Sequence, residues 1–127
     1  MGNIALAARE RIYAPTWGDK MTYMMFKELR VLAHLIRKGY VYTVRHYPAK
    51  PPLVRDVVDG EHNFYGLHVG IMTVQRLPKT KKIRERTLKA HLHGSGFSNL
   101  GVWLDVIEEL HKAHKTLWLL EAHIVGG

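Results

Sequence analysis

Gly94-Ser95-Gly96-Phe97-Ser98-Asn99-Leu100-Gly101-Val102-Trp103-Leu104-Asp105-Val106-Ile107-Glu108-Glu109-Leu110 is the stretch on which the fold turns. Its glycines break the chain into a loop that delivers one aromatic, Phe97, and a helix follows. Leu100, Trp103, Leu104, Ile107 and Leu110 recur at helical spacing and share one face. Asp105, Glu108 and Glu109 fall elsewhere on the helix, and Ser98 is the expected N-cap, its hydroxyl accepting a first-turn N–H. An apolar strand, Thr116 to Val125, comes directly after.

Working back from that loop, Lys79 to Lys89 is strongly basic, with Lys79, Lys81, Lys82, Arg84, Arg86 and Lys89 against a lone Glu85. Leu67 to Leu77 reads as a long strand, preceded by a turn over residues 60–66 and a strand from Leu53 to Asp59. Pro48, Pro51 and Pro52 form a stiff connection. Tyr40 to His46 is β-branched and aromatic, with Val41, Thr43 and Arg45 on one side and Tyr40, Tyr42 and Val44 on the other. Before it, Leu29, Leu32, Ala33 and Ile36 mark a helix face from Lys27 onward. Arg37 and Lys38 suit the helix C-terminal dipole, and Gly39 is the left-handed stop. Met21 to Phe26 is a short strand. These elements make one α+β domain over residues 20–127, with residues 1–19 as an N-terminal extension.

At 127 residues and 46% hydrophobic, the chain can bury one real core. No apolar run approaches the ~20 residues of a membrane span, so no membrane partner is expected. The apolar N-terminus is short and its first basic residue, Arg9, follows rather than precedes it, which argues against a secretory signal and for the cytoplasm. With no cysteine, disulfides and thiolate metal sites are excluded. His91 and His93, and His111 and His114, are spaced as pairs but fall short of the four ligands of a closed zinc site, so no metal or other cofactor is expected. The net charge of +8 fits a polyanionic partner, nucleic acid first, and equally a thermophile-style charged surface.

The order of strand, glycine-ended helix, Tyr40-Val41-Tyr42-Thr43-Val44-Arg45, Val54-Arg55-Asp56-Val57-Val58, long strand, Gly96-Phe97-Ser98 loop, helix and last strand resembles the ASCH domain. That family is related to the PUA fold, and the likeness covers about Met21 to Val125. It implies a small, mostly antiparallel PUA-like β-barrel with flanking helices. Its signature is Gly-x-Lys-x-x-(Glu/Thr)-x-Arg lining a cleft. Aligning Thr43 and Arg45 with the signature puts Lys38 at its glycine and Tyr40 at its lysine. The acidic loop position falls on Ser95, and Arg55 stands where a glycine usually precedes Asp in the middle strand.

In members that remove acyl groups from modified cytidine, a lysine, this threonine and a loop glutamate act together, because a hydroxyl is a weak nucleophile until a base takes its proton. Here neither Tyr40 nor Ser95 is a base at neutral pH. The resemblance therefore implies binding before catalysis: nucleic acid, RNA in preference to DNA, in a basic cleft. The expected contacts are Lys38, Tyr40, Tyr42, Thr43, Arg45, Lys79, Lys81, Lys82, Arg84 and Arg86. Arg45 offers a planar fork for phosphate, the tyrosines a stacking surface, and the 79–89 segment a wall that tracks a phosphate backbone. The alternative is an amidohydrolase or nuclease acting on a modified nucleoside or RNA in the same cleft, with Thr43 as catalytic residue. For Arg45 the bland alternative is an ion pair with Asp56.

Overall fold

A computed structural model describes residues 23–126. The N-terminal extension and the first residues of the Met21 strand lie outside the described residues. The chain runs β1 (Tyr23–Phe26), α1 (Leu29–Lys38), β2 (Tyr40–Arg45), β3 (Val54–Asp59), β4 (Phe64–Arg76), α2 (Lys81–Ala90), a 3-10 turn (Leu92–Gly94), α3 (Leu100–His111) and β5 (Trp118–Val125). No described helix is long and apolar enough to cross a membrane.

The five strands form one sheet in the order β1-β3-β4-β5-β2. β1 pairs with β3 in parallel, and every other pairing is antiparallel. Register shifts at Asp56/Val58 and Thr73/Gln75 mark irregularities of the kind that bend and twist a strand, and the sheet curls strongly into a half-barrel. Although β1 and β2 are neighbours in sequence, they form opposite edges of the sheet. α1 links them, packing mainly against β2.

α1 starts at Glu28, whose side chain accepts from the Arg30 N–H, and ends at Gly39. With φ at +85° Gly39 takes a conformation that L side chains rarely adopt, and its N–H reaches the Leu35 carbonyl at 2.8 Å. The buried face of this helix is not the expected one. Val31, Leu32 and Leu35 are covered, while Leu29 is 66% and Ile36 46% exposed and Ala33 faces solvent. The apolar side of α1, opposite Arg30, Arg37 and Lys38, is wider than the strip that docks, so the packing against β2, not the spacing, selects which part of it is buried. α3 is capped by Asn99, whose Oδ1 accepts from the Val102 N–H at 3.1 Å, rather than by Ser98. Both residue types cap well, and the extended backbone at Asn99 makes it the boundary.

The expected turn over 60–66 is shorter, because β4 already begins at Phe64. The basic stretch folds as α2, of which only Leu88 is buried. The core contains Leu32, Trp103 and Ile107 from the expected helix faces and Phe97 from the loop, joined by Met24, Phe26, Leu35, Val41, Val69, Ile71, Leu119 and Leu120. On α3, Trp103 and Ile107 are the buried pair and Leu110 is exposed.

Candidate functional site

A cavity of 330 Å³ opens where the curled sheet fails to close. Its walls come from both edge strands, from the start of α1 and from α3. Phe26, Val31, Phe97, Trp103 and Ile107 make the apolar side, and Lys27, Glu28, Thr43, Arg45 and Tyr47 the polar one. Gly96 fixes the loop that delivers Phe97. Its φ is +89°, and a Cβ there would stand 2.6 Å from the Arg30 carbonyl oxygen, so the loop passes α1 at a distance no side chain tolerates. Phe97 then stacks on Trp103 with ring centroids 6.2 Å apart.

Arg45 is the centre of the polar wall. Its Nε donates to Thr43 Oγ1 at 3.2 Å, its Nη1 approaches the Tyr47 hydroxyl at 3.5 Å, and its guanidinium lies 5.0 Å from the centre of the Phe26 ring. Among the described residues no carboxylate pairs with it. Asp56, the expected surface partner, is 2.8 Å from His68 instead. Removal from water pulls the Arg45 pKa below the ordinary guanidinium value. The result is a half-buried cation in a cavity, held among the described residues by neutral groups.

The other sequence candidates divide. Thr43 is buried and shares the face of Arg45. Tyr40 and Tyr42 do not, because side chains alternate along β2. They pack edge-on against His34, His91 and His93 on the far side of the strand, and Lys38 sits in the last turn of α1. Neither these tyrosines nor Lys38 lines the Arg45 cavity. Ser95 is fully buried: its Oγ donates to the Leu92 carbonyl at 2.8 Å and accepts the Phe97 N–H at 3.0 Å. It pins the loop.

Lys79, Lys81 and Arg84 line a second depression, 420 Å³ in volume, between α2 and α3, while Lys82 and Arg86 are on α2 without lining it. This groove and the Arg45 cavity have Ile107, His111 and His114 in common. The two therefore adjoin along the C-terminal half of α3.

Sequence reasoning missed Lys27, Glu28, His46, His111 and His114 as cavity residues. Lys27 and Glu28 read only as a helix start. Glu28 is held by Arg30 Nε at 2.7 Å, and that hydrogen bond is the main reason its carboxyl lies below the usual range. The three histidines gather at the cavity rim. The His46 and His114 rings stack at 3.9 Å and 6°, and both lie about 6 Å from the His111 ring. Only the spacing of His111 and His114 was a signal. Among the described residues no group of three or more His, Asp or Glu side chains is arranged to hold a metal ion.

No protein-family model matches this sequence, and neither a curated protein nor a solved structure is significantly similar to it.

Proposed function

We propose that this chain is a nucleic-acid-binding module of ASCH type, selective for unpaired RNA over DNA. The observation that carries the reading is the continuity of the basic α2–α3 groove with the Arg45 cavity through Ile107, His111 and His114. A phosphate backbone lying against Lys79, Lys81 and Arg84 is led to a pocket near the small end of the ligand-pocket range, about 300–1,000 Å³. A pocket of that size takes one unstacked nucleotide rather than a duplex, which is how single-stranded RNA is usually read. Arg45 supplies the recognition. One face of its guanidinium plane lies on Phe26, and with Nε on Thr43 and Nη1 near Tyr47 it is Nη2 that is offered to an acceptor on the base or phosphate. Titrating labelled single-stranded RNA, matched DNA and duplex RNA at rising salt tests the reading. Tight, salt-sensitive binding of single-stranded RNA is expected. Binding at low salt no better than a neutral control protein achieves refutes it.

A second reading has one observation in its favour. Lys27 and Glu28 line the same cavity as Thr43, so an ammonium and a carboxylate from the start of α1 stand in the site that Tyr40 and Ser95 leave without either. In that reading the chain hydrolyses an acylated cytidine, with Thr43 as nucleophile and one of the two as its base. Release of acetate from an N4-acetylated nucleoside by wild type, lost in Thr43→Ala, would establish it. No turnover in wild type leaves binding as the function.

A further inference from the structure

We propose that His46, His111 and His114, with Arg45, form a phosphate subsite at the junction of the two cavities, which takes up a proton as it binds the phosphomonoester at an RNA end. The inference rests on the nucleic-acid reading of the cleft and goes beyond it, in naming the end group and the coupling to protons. Three imidazoles come together here from the end of β2, the last turn of α3 and the segment after it. His111 and His114 face both cavities, so a chain passing from groove to pocket meets them.

The hydrogen bonding fixes how His111 stands. Its Nε2 is 2.9 Å from the Val44 carbonyl, which can only accept, so Nε2 carries the hydrogen. Nδ1 is then a buried lone pair with no partner among the described residues. Protonation turns that orphan acceptor into a donor, and an anionic oxygen entering beside it completes the pair. Burial favours the neutral state in the free protein. It is the largest influence and lowers both His111 and His46 below the ordinary imidazole pKa; positively charged neighbours add to it, and at His111 the Val44 hydrogen bond works against it.

Those neighbours come from every side. Arg45 and Lys50 act on His46, Arg45 and the other two rings act on His111, and the groove adds Lys79, Lys81, Arg84 and Lys112. Against them stand Glu85 and Glu108 in the groove, and Glu28 in the cavity, the last already held by Arg30. The carbonyl end of α3 disfavours an anion directly but favours imidazolium, so a phosphate binds there only together with a proton.

A phosphomonoester suits this arrangement better than a backbone diester. Its second pKa, about 6, lies close to the imidazole value of about 6.5, and its second charge attracts the imidazolium more strongly.

The test compares one RNA oligonucleotide bearing a 5′-phosphate, a 3′-phosphate or no terminal phosphate, with inorganic phosphate as a separate ligand. Calorimetry at pH 6.5 and 8.0, in two buffers of different ionisation enthalpy, reads affinity and proton uptake. At pH 6.5 a phosphorylated end is expected to bind about tenfold more tightly than the bare end, with uptake of about one proton. His46→Gln combined with His114→Gln, both at exposed positions, is expected to lose the end preference, and His111→Gln, whose amide can still donate to the Val44 carbonyl, is expected to lose the uptake. RNA binding with no end preference and no uptake overturns this inference and leaves the proposed function standing. Inorganic phosphate binding as tightly as the phosphorylated end assigns the subsite to free phosphate and overturns it too. A chain that binds no RNA under any condition refutes both.

Discussion

Arg45→Met separates a recognition role from a structural one. The substitution keeps an unbranched stem against Phe26 and removes the charge. Three interactions disappear from the folded state. The bond to Thr43 is of ordinary length at 3.2 Å and goes to a neutral hydroxyl, worth ~1 kcal/mol. The 3.5 Å approach to Tyr47 is at the margin and contributes little. The guanidinium–Phe26 contact at 5.0 Å is worth ~0.5–1 kcal/mol.

Against this loss of roughly 1.5–2 kcal/mol stands the relief of a cation that is removed from water with no carboxylate partner among the described residues. That penalty is several kcal/mol for a fully buried ion and about 1–2 kcal/mol for a half-buried one. The two sides nearly cancel, so the variant should unfold in urea within ~1 kcal/mol of wild type. RNA affinity should behave otherwise. Losing a charge-assisted hydrogen bond removes about 1.5–3 kcal/mol, a weakening of roughly 10- to 150-fold read by fluorescence anisotropy. The reasoning is refuted if Arg45→Met loses more than ~2 kcal/mol of stability while binding RNA as wild type does, since Arg45 would then be a strut of the barrel mouth.

Trp103→Ala removes the ring that stacks on Phe97 and backs the cavity, and chemical denaturation should record a loss of ~3–5 kcal/mol; a loss below ~1 kcal/mol would mean that α3 is not anchored as described. Replacing Lys81, Lys82 and Arg84 together with alanine should weaken RNA binding. The plot of log affinity against log salt should flatten by about 0.7 for each phosphate no longer neutralised. Of these three, Lys81 and Arg84 line the groove and Lys82 does not, so Lys82→Ala alone should account for the smallest part. His34 is buried with Nε2 unpartnered among the described residues, and burial lowers its pKa below 6.5. The folded state therefore binds this proton less readily than the unfolded chain, and the associated stability is lost as pH falls below about 6.5. Thermal melts should show Tm dropping between pH 7.5 and 5, with a smaller drop in His34→Leu. An unchanged drop would exclude His34 as a source.

Local chemistry was legible in the residues. Gly39 had to end a helix, Tyr40 to Arg45 had to be a strand with Thr43 and Arg45 on one side, and the glycine-broken loop had to present Phe97 to a helix carrying Trp103 and Ile107. Each of these depends on dihedral freedom or on a side-chain period of 2 or 3.6, which neighbouring residues fix by themselves. What lies across a face does not follow from the period. α1 carries apolar residues in several directions, and only its seat on β2 decided that Val31 and Leu35 are covered and Leu29 is not.

The site was decided the same way. The alternation in β2 already separated Tyr40 and Tyr42 from Arg45, but not which face the cavity would occupy. Asp56 looked available to Arg45 in sequence and was claimed by His68 from the neighbouring strand. Placing β1 and β2 at opposite edges of a curled sheet opened the cavity. It also gathered Lys27, Glu28, His46, His111 and His114 from segments up to 87 residues apart. Contacts between distant segments depend on how whole elements pack, and no local pattern of residues encodes that.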